Sequence, residues 1–171
     1  MKLFVVIVGG EVEGCHVELH DTRFVPGERI EDCHEALKAQ WWGKPESLHV
    51  DAWGPLEWAD GYDVSVVRAS EAPDDLQRLW FLNLGGYDPL RFEELHRNFF
   101  MVAPDWRSAK TRAIAEVKDW VSPHKDYAFD VDRAIDVTGA LGEEWRVKLS
   151  PAEARKPFAF EARYVPIGKM K

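Results

Sequence analysis

Cysteine is scarce in this 171-residue chain, which contains only Cys15 and Cys33. The two residues show neither CxxC spacing nor the dense pattern of a disulfide-stabilised secreted domain. A chain of this length buries roughly 70% of its unfolded surface, so it does not need a disulfide or a metal ion to remain folded. We therefore expect a reducing, cytoplasmic location, with both thiols packed as small apolar groups.

Positive charge is also in deficit. The chain has 22 Lys and Arg residues against 30 Asp and Glu residues, which gives a formal net charge of −8. Proteins that bind the phosphate backbone rely on clustered Lys and Arg side chains. The acidic residues are spread along the chain, as is typical of a solubilising surface. Nucleic acid is therefore not an expected partner.

Long apolar runs are missing as well. The most prominent run, LFVVIV at residues 3–8, is far shorter than the roughly 20 residues that would span a bilayer. It lacks a signal-peptide cleavage site, and a similar run, LWFLNL, recurs at residues 79–84. We expect neither a membrane partner nor an export signal, and we interpret the run as a buried strand.

No complete catalytic or nucleotide-binding motif is present. The chain lacks GxGxxG, GxxxxGK[ST], GxSxG and HExxH. Each of the pairs Gly9-Gly10 and Gly85-Gly86 precedes an acidic or aromatic loop, and an acidic loop would repel phosphate. We interpret both pairs as tight exits from strands and expect no cofactor.

The chain does contain an internal repeat. Residues 3–25, LFVVIVGGEVEGCHVELHDTRFV, align without a gap with residues 79–101, LWFLNLGGYDPLRFEELHRNFFM, at a shift of about 76 positions. The shared residues cluster as Gly9-Gly10 with Gly85-Gly86, Glu18-Leu19-His20 with Glu94-Leu95-His96, and Phe24 with Phe100. This self-similarity predicts a second half built on the first.

Hydrophobic periodicity predicts the elements of the first repeat. Residues 3–8 are continuously apolar, as in a strand buried on both faces, and residues 16–25 alternate as a second strand. Apolar residues follow helical spacing over 30–41. Alternating residues at 48–51 and 62–66 predict two closing strands.

The second repeat follows the same order. Apolar positions predict a helix over 106–117, for which Asp105 is a suitable N-cap. Residues 129–132 and 145–149 correspond to the closing strands of the first repeat. The predicted order of elements in each repeat is therefore strand, strand, helix, strand, strand.

These patterns predict an α+β fold in which helices pack on a largely antiparallel sheet. A repeat this small is marginally stable alone, so we expect the two repeats to pack with pseudo-two-fold symmetry around one core. The predicted boundaries are 1–68 for the first repeat, 69–77 for a connector and 78–150 for the second repeat. A C-terminal extension, 151–171, is expected to add an edge strand.

Five segments carry a resemblance to a known family: LFVVIVGG, ELHDTRFVPG, IEDCHEALKAQWWG, LHVDAW and DGYDVSVV. Together they resemble the bacterial domain-of-unknown-function family 1543, whose domain occurs once or twice per chain. The resemblance covers nearly the whole chain apart from the last twenty or so residues, and it implies two tandem copies. Because the family has no assigned activity, the resemblance implies no site residues.

The repeated Glu-Leu-His tripeptide is the leading candidate site. Residues two apart on a strand share a face, so Glu18 lies beside His20, and Glu94 beside His96. A carboxylate beside an imidazole is the usual means of orienting a general base. A two-fold axis would allow the pairs to converge into one site, although structural hydrogen bonding explains the same residues.

A metal site is the weaker interpretation of this segment. It would use His16, Glu18 and His20, but Phe92 replaces the first histidine in the second repeat. Alternate strand positions also lack the specificity of a helical HExxH motif. No metal is therefore expected from the sequence.

A second pair with a shared face is His49 with Asp51, whose counterpart is Asp130 with Asp132. The aspartate pair has the oxygen ligands that a divalent cation prefers. Paired aspartates near a strand end are more often turn formers or solvated groups, so we assign them no role.

Two functions remain open. The favoured one is a non-catalytic binding or interaction module, whose site for a small polar ligand or a protein partner lies at the junction of the repeats. The alternative is a small acid/base enzyme that uses Glu18 and His20, with Glu94 and His96. Metal dependence is the least favoured variant of this enzyme.

Overall fold

The computed structural model describes residues 1–73, 76–88, 90–117 and 131–168. Ten strands lie in these residues: β1 (Lys2–Gly10), β2 (Leu19–Gly27), β3 (His49–Pro55), β4 (Trp58–Ala59), β5 (Tyr62–Arg68), β6 (Arg78–Tyr87), β7 (Glu94–Ala103), β8 (Val131–Asp136), β9 (Trp145–Pro151) and β10 (Glu161–Pro166). Three helices accompany them: α1 (His34–Gln40), α2 (Trp106–Glu116) and α3 (Val137–Ala140). The fold class is α+β, as predicted.

The strands form three antiparallel sheets. The first has the order β10-β3-β1-β2, the second β7-β6-β8, and the third β4-β5-β9. Strand β1 lies inside the first sheet and β6 is the central strand of the second. The third sheet combines strands from both halves of the sequence, because β5 pairs with β9 along its whole length.

Strand β1 is buried on both faces, which explains its continuous apolar sequence. Leu3 and Val5 face a central core that they share with Leu79 of β6, whereas Phe4 and Val6 face the core under α1. Each large sheet therefore has one face toward the other sheet and one face toward a helix.

The helices cover the outer faces. In α2, Ala109 and Ala113 are fully buried against the second sheet. Its predicted N-cap is confirmed, since the Asp105 carboxylate accepts a hydrogen bond of 2.9 Å from the Ser108 amide. Residues 30–33 form a 3-10 turn, so α1 is shorter than predicted. Within the described residues, no helix is long and apolar enough to cross a membrane.

Two local predictions are wrong. The second strand begins at Leu19 and not at residue 16, because the chain first passes through a turn with Gly14 at a φ of 81°. Cys15 is exposed in this turn, whereas Cys33 is buried under the first sheet as expected. The segment predicted as a strand at 129–132 lies partly outside the described residues, and β8 begins at Val131.

The two halves share an arrangement of elements. In each half, the first strand lies between the second and third strands, and a helix follows the second strand. Both first strands also change register toward the third strand, between Ile7 and Val8 in β1 and between Asn83 and Leu84 in β6.

A polar bridge joins the β4–β5 hairpin to the second half. Asp60, in the hairpin turn at a φ of 51°, accepts a 2.8 Å hydrogen bond from the Val102 amide. Its carboxylate also accepts from Arg112 of α2, whose guanidinium donates to the Val102 carbonyl at 2.9 Å. The hydrogen bond to Asp60 raises the pKa of Arg112.

We expect Asp60→Ala to lower the free energy of unfolding by about 1–3 kcal/mol, because it leaves the Val102 amide and Arg112 without this partner. Asp60→Asn is the matched control: it keeps an acceptor oxygen and tolerates a positive φ, so its loss is expected to be smaller. Urea unfolding measures the free energy of unfolding of both variants. Equal stability of Asp60→Ala and wild type would contradict the role assigned to the bridge.

The buried thiol is expected to be inert. Burial raises the pKa of Cys33 to about 12, with smaller contributions from Asp32 and Glu31. At pH 8 only about one thiol in ten thousand would be ionised, and the thiolate is the reactive form. Iodoacetamide should label Cys15 in the folded protein and Cys33 only after unfolding, as read by peptide mass spectrometry. Labelling of both at similar rates would contradict this.

Candidate metal centre

The space between the two large sheets changes from apolar to polar toward the two glycine pairs. His20 lies opposite Gly9 in the β1–β2 ladder, and His96 lies opposite Gly85 in the β6–β7 ladder. Both histidines line one cavity of about 300 Å³. The structure therefore brings one histidine from each Glu-Leu-His segment to the same cavity.

Each of these histidines lies near the glutamate of its own segment. Glu18 Oε1 is 3.5 Å from His20 Nε2, and Glu94 Oε2 is 3.6 Å from His96 Nε2. Both imidazoles are half exposed, so the cavity is open to solvent.

A third histidine joins the first pair. Strand β3 places His49 opposite Gly9, on the side of β1 away from His20. A Cβ atom at Gly9 would lie 2.7 Å from atoms of both rings. The glycine therefore allows the two imidazoles to approach across β1, with ring centroids 6.2 Å apart.

A β-bulge adds a carboxylate to this arrangement. Ile7 pairs with Ala52 and Val8 pairs with Val50, so Asp51 is an extra residue without a partner in β1. Such a bulge redirects a side chain without ending the strand. Asp51 consequently points between the two histidines.

The Asp51 carboxylate is close to both rings. Its Oδ2 atom lies 3.2 Å from His20 Nε2 and 3.4 Å from His49 Nε2, and Glu18 Oε2 lies 3.7 Å from His49 Nε2. Glu18, His20, His49 and Asp51 are called the four-residue cluster below.

The His49 ring has a defined orientation. Its Nδ1 atom is 2.9 Å from the Ser47 carbonyl, and because a carbonyl only accepts, Nδ1 carries the hydrogen. The Nε2 atom of the neutral ring then presents a lone pair to the carboxylate oxygens, which are also acceptors. Both His49 Nε2 and Asp51 Oδ2 are buried and have no hydrogen-bond partner among the described residues. A cation between the two atoms would satisfy both acceptors.

The distances within the cluster fit a metal ion. Four ligands at the bond lengths of a tetrahedral zinc site have neighbouring donor atoms about 3.3 to 3.4 Å apart. Glu18, His20 and His49 can each offer one ligand atom, and these atoms all lie within 4.8 Å of one another. The Asp51 carboxylate adds an oxygen 3.2 Å from His20 Nε2 and 3.4 Å from His49 Nε2. The Ser47 carbonyl would serve as the outer partner that fixes a ligating histidine.

The cluster is buried on the side of His49 and exposed to solvent on the side of Glu18 and His20. The His49 side chain is only 3% exposed, and the Tyr164 ring packs on it with centroids 4.5 Å apart. Glu18 and His20 are about half exposed. An ion could therefore enter from the exposed side, and a ligand in the cavity would bind it as a fifth donor.

The other candidates lie elsewhere. His16 is exposed in the loop before β2 and does not belong to the cluster. Glu94 and His96 lie on the opposite sheet. Asp130 lies outside the described residues, as does the side chain of Asp132. The sequence pattern predicts His49 and Asp51 as a pair but does not indicate that they join Glu18 and His20, because pairing between distant strands brings the four residues together.

Fold and site together define an antiparallel α+β protein with two histidines and two carboxylates clustered between its sheets. Residues 15–66, which include the whole cluster, match the family described as Domain of Unknown Function (DUF1543). The chain is also similar to the crystal structure of protein Il1583 from Idiomarina loihiensis, with 30% identity and a TM-score of 0.71 over 98% of this chain and 99% of that chain. No curated protein matches it. The match assigns residues 15–66 to the DUF1543 family.

We expect neutral His49 to be the Nδ1–H tautomer, with that hydrogen protected from exchange by the Ser47 carbonyl. Long-range ¹H–¹⁵N correlation spectra of metal-free protein distinguish the two tautomers. His16, which is exposed, is the internal control for a ring without a fixed orientation. A spectrum in which His49 carries its hydrogen on Nε2 would contradict the lone-pair arrangement.

Proposed function

We propose that this protein binds one divalent transition-metal ion at the four-residue cluster. The observation that carries the proposal is that His49 Nε2 and Asp51 Oδ2 lie 3.4 Å apart, buried, and that no described residue gives either atom a hydrogen bond. Leaving such groups unsatisfied costs about 1–3 kcal/mol each, and a bound cation would satisfy both. Two imidazole nitrogens and two carboxylate oxygens suit zinc, iron(II), cobalt or manganese.

In this proposal the metal belongs to a ligand site at the junction of the two halves. Support comes from His20, which belongs to the cluster and also lines the 300 Å³ cavity. The opposite wall supplies His96 and Arg133. A small polar ligand would thus meet the metal on one side and cationic or imidazole groups on the other.

A second candidate function is acid/base catalysis in the same cavity. It is favoured by one observation: His96 lies 3.6 Å from Glu94 on the wall opposite His20. A carboxylate that orients an imidazole is the usual arrangement of a general base. In this variant, the first half would supply the metal and the second half would supply the base.

We also propose that the halves derive from an internal duplication, and that the metal site at the four-residue cluster belongs to the first copy. Support comes from the shared strand order, the helix after each second strand and the matching register changes in β1 and β6. The glycines opposite His20 and His96 occupy equivalent positions in this comparison.

Purified protein is expected to bind one equivalent of Zn²⁺, as measured by elemental analysis and calorimetric titration. Removing a partner outside the coordination sphere costs about 10–100-fold in affinity, so loss of a ligand in His49→Ala should cost a hundredfold or more. His16→Ala is the matched control and should bind like wild type. Unchanged zinc affinity in His49→Ala, or no zinc binding by wild type, would refute the proposal.

Gly9→Ala tests the geometry without removing a ligand. The new methyl group would displace the half-exposed His20 ring more readily than the buried His49 ring. We expect weaker zinc binding with a retained fold, checked by circular dichroism. Gly139→Ala is the control, because its Cβ would have no neighbour closer than 4.0 Å. Cobalt(II) absorption spectra should lose the wild-type coordination signature only in Gly9→Ala.

A further inference from the structure

A mostly apolar cavity lies between the two sheets, next to the four-residue cluster. Its volume is about 460 Å³, within the range of small-molecule sites. Its walls include Leu56, Trp58, Phe81, Phe100 and Phe158, which come from both halves and from the C-terminal segment. A cavity lined by so many rings favours a flat aromatic or aliphatic body.

The charged groups around this cavity already have partners. Asp60 accepts from Arg112 and from the Val102 amide. Lys156 donates to Asp63 at 2.7 Å, and the Arg155 guanidinium lies 5.6 Å from the centre of the Trp58 ring. The interior of the cavity therefore presents mainly apolar surface to a ligand. A ligand with a polar end group needs a binding partner for that group at one end of the cavity.

The four-residue cluster lies at such an end. Ile7 and Ala52 line the cavity, and Ala52 directly follows Asp51. Gly9, between the two histidines, is two residues beyond Ile7 on the same strand, which is a distance of about 7 Å. Thr22, two residues after His20, lines both this cavity and the polar one, so the two spaces adjoin.

We infer that the apolar cavity binds a small monocarboxylate with an aromatic or aliphatic body, whose carboxylate coordinates the metal ion at the cluster. The inference rests on the proposed metal site for the anchoring of the polar end only. Shape and apolar character of the cavity select the body of the ligand, and the metal selects an oxygen donor.

Three probe molecules distinguish the contribution of the ligand's apolar body to affinity from that of its carboxylate. Titrations of zinc-loaded protein use 3-phenylpropanoate, propanoate, which lacks the ring, and 3-phenylpropanol, which lacks the carboxylate. Binding is followed by ligand-observed NMR and calorimetry. We expect 3-phenylpropanoate to bind at least about tenfold more tightly than either other probe, and to lose this advantage over the alcohol in metal-free protein.

A second test uses substitutions in the cavity wall, one of which fills the cavity. Ala52→Phe should lower the affinity for 3-phenylpropanoate about tenfold or more, while Ala36→Phe on the exposed surface of α1 should not change it. Zinc affinity is measured for each variant, so that a displaced Asp51 is recognised. Phe158→Ala removes part of the cavity wall. Because Phe158 is 42% exposed, this variant should weaken binding without unfolding the protein.

The outcomes distinguish the two proposals. Failure of wild type to bind zinc refutes the metal site, and with it the coordination of the carboxylate. Zinc binding with no measurable binding of 3-phenylpropanoate at millimolar concentration overturns the ligand inference and leaves the metal site standing. Equal affinity of wild type and both cavity variants also overturns it, as does affinity that does not depend on zinc.

Discussion

The burial of β1 and β6 on both faces is the constraint on which the rest of the structure depends. Successive apolar side chains of each strand point to opposite faces of its sheet. Both faces are therefore buried, and neither strand can lie at the surface. The outer faces are covered by α1 and α2, and the inner faces cover each other. The central core of phenylalanine, leucine and valine residues follows from this stacking of two sheets.

The same stacking creates the candidate site. Where the inner faces carry Phe24, Phe81 and Phe100, the sheets meet in close aromatic contact, with the Phe24 and Phe81 rings 5.2 Å apart. Toward the glycine pairs the inward positions become histidine, asparagine and threonine, and the sheets enclose cavities instead. Polar groups there must be satisfied by each other, by solvent or by a ligand, and His49 with Asp51 is not satisfied by the described residues.

Much of the local structure could be predicted because it depends on neighbouring residues. The apolar run in β1, the helical spacing in α2 and its Asp105 cap are short-range signals that the fold preserves. The start of β2 was predicted three residues too early, since alternation alone does not reveal the preceding turn. The duplication is a further expectation from the sequence, and its support in the fold is the common order of elements.

The sequence by itself determined the residue types, the fold class and the repeated Glu-Leu-His segment, which pointed to Glu18 and His20. Only the tertiary structure decided that His49 and Asp51 join them. That union depends on the pairing of β1 with both β2 and β3, on a bulge at one residue and on the missing side chain of Gly9. The hydrophobic pattern of a strand fixes which of its faces is buried, but the choice of partner among distant strands and the position of a bulge depend on the packing of the whole sheet.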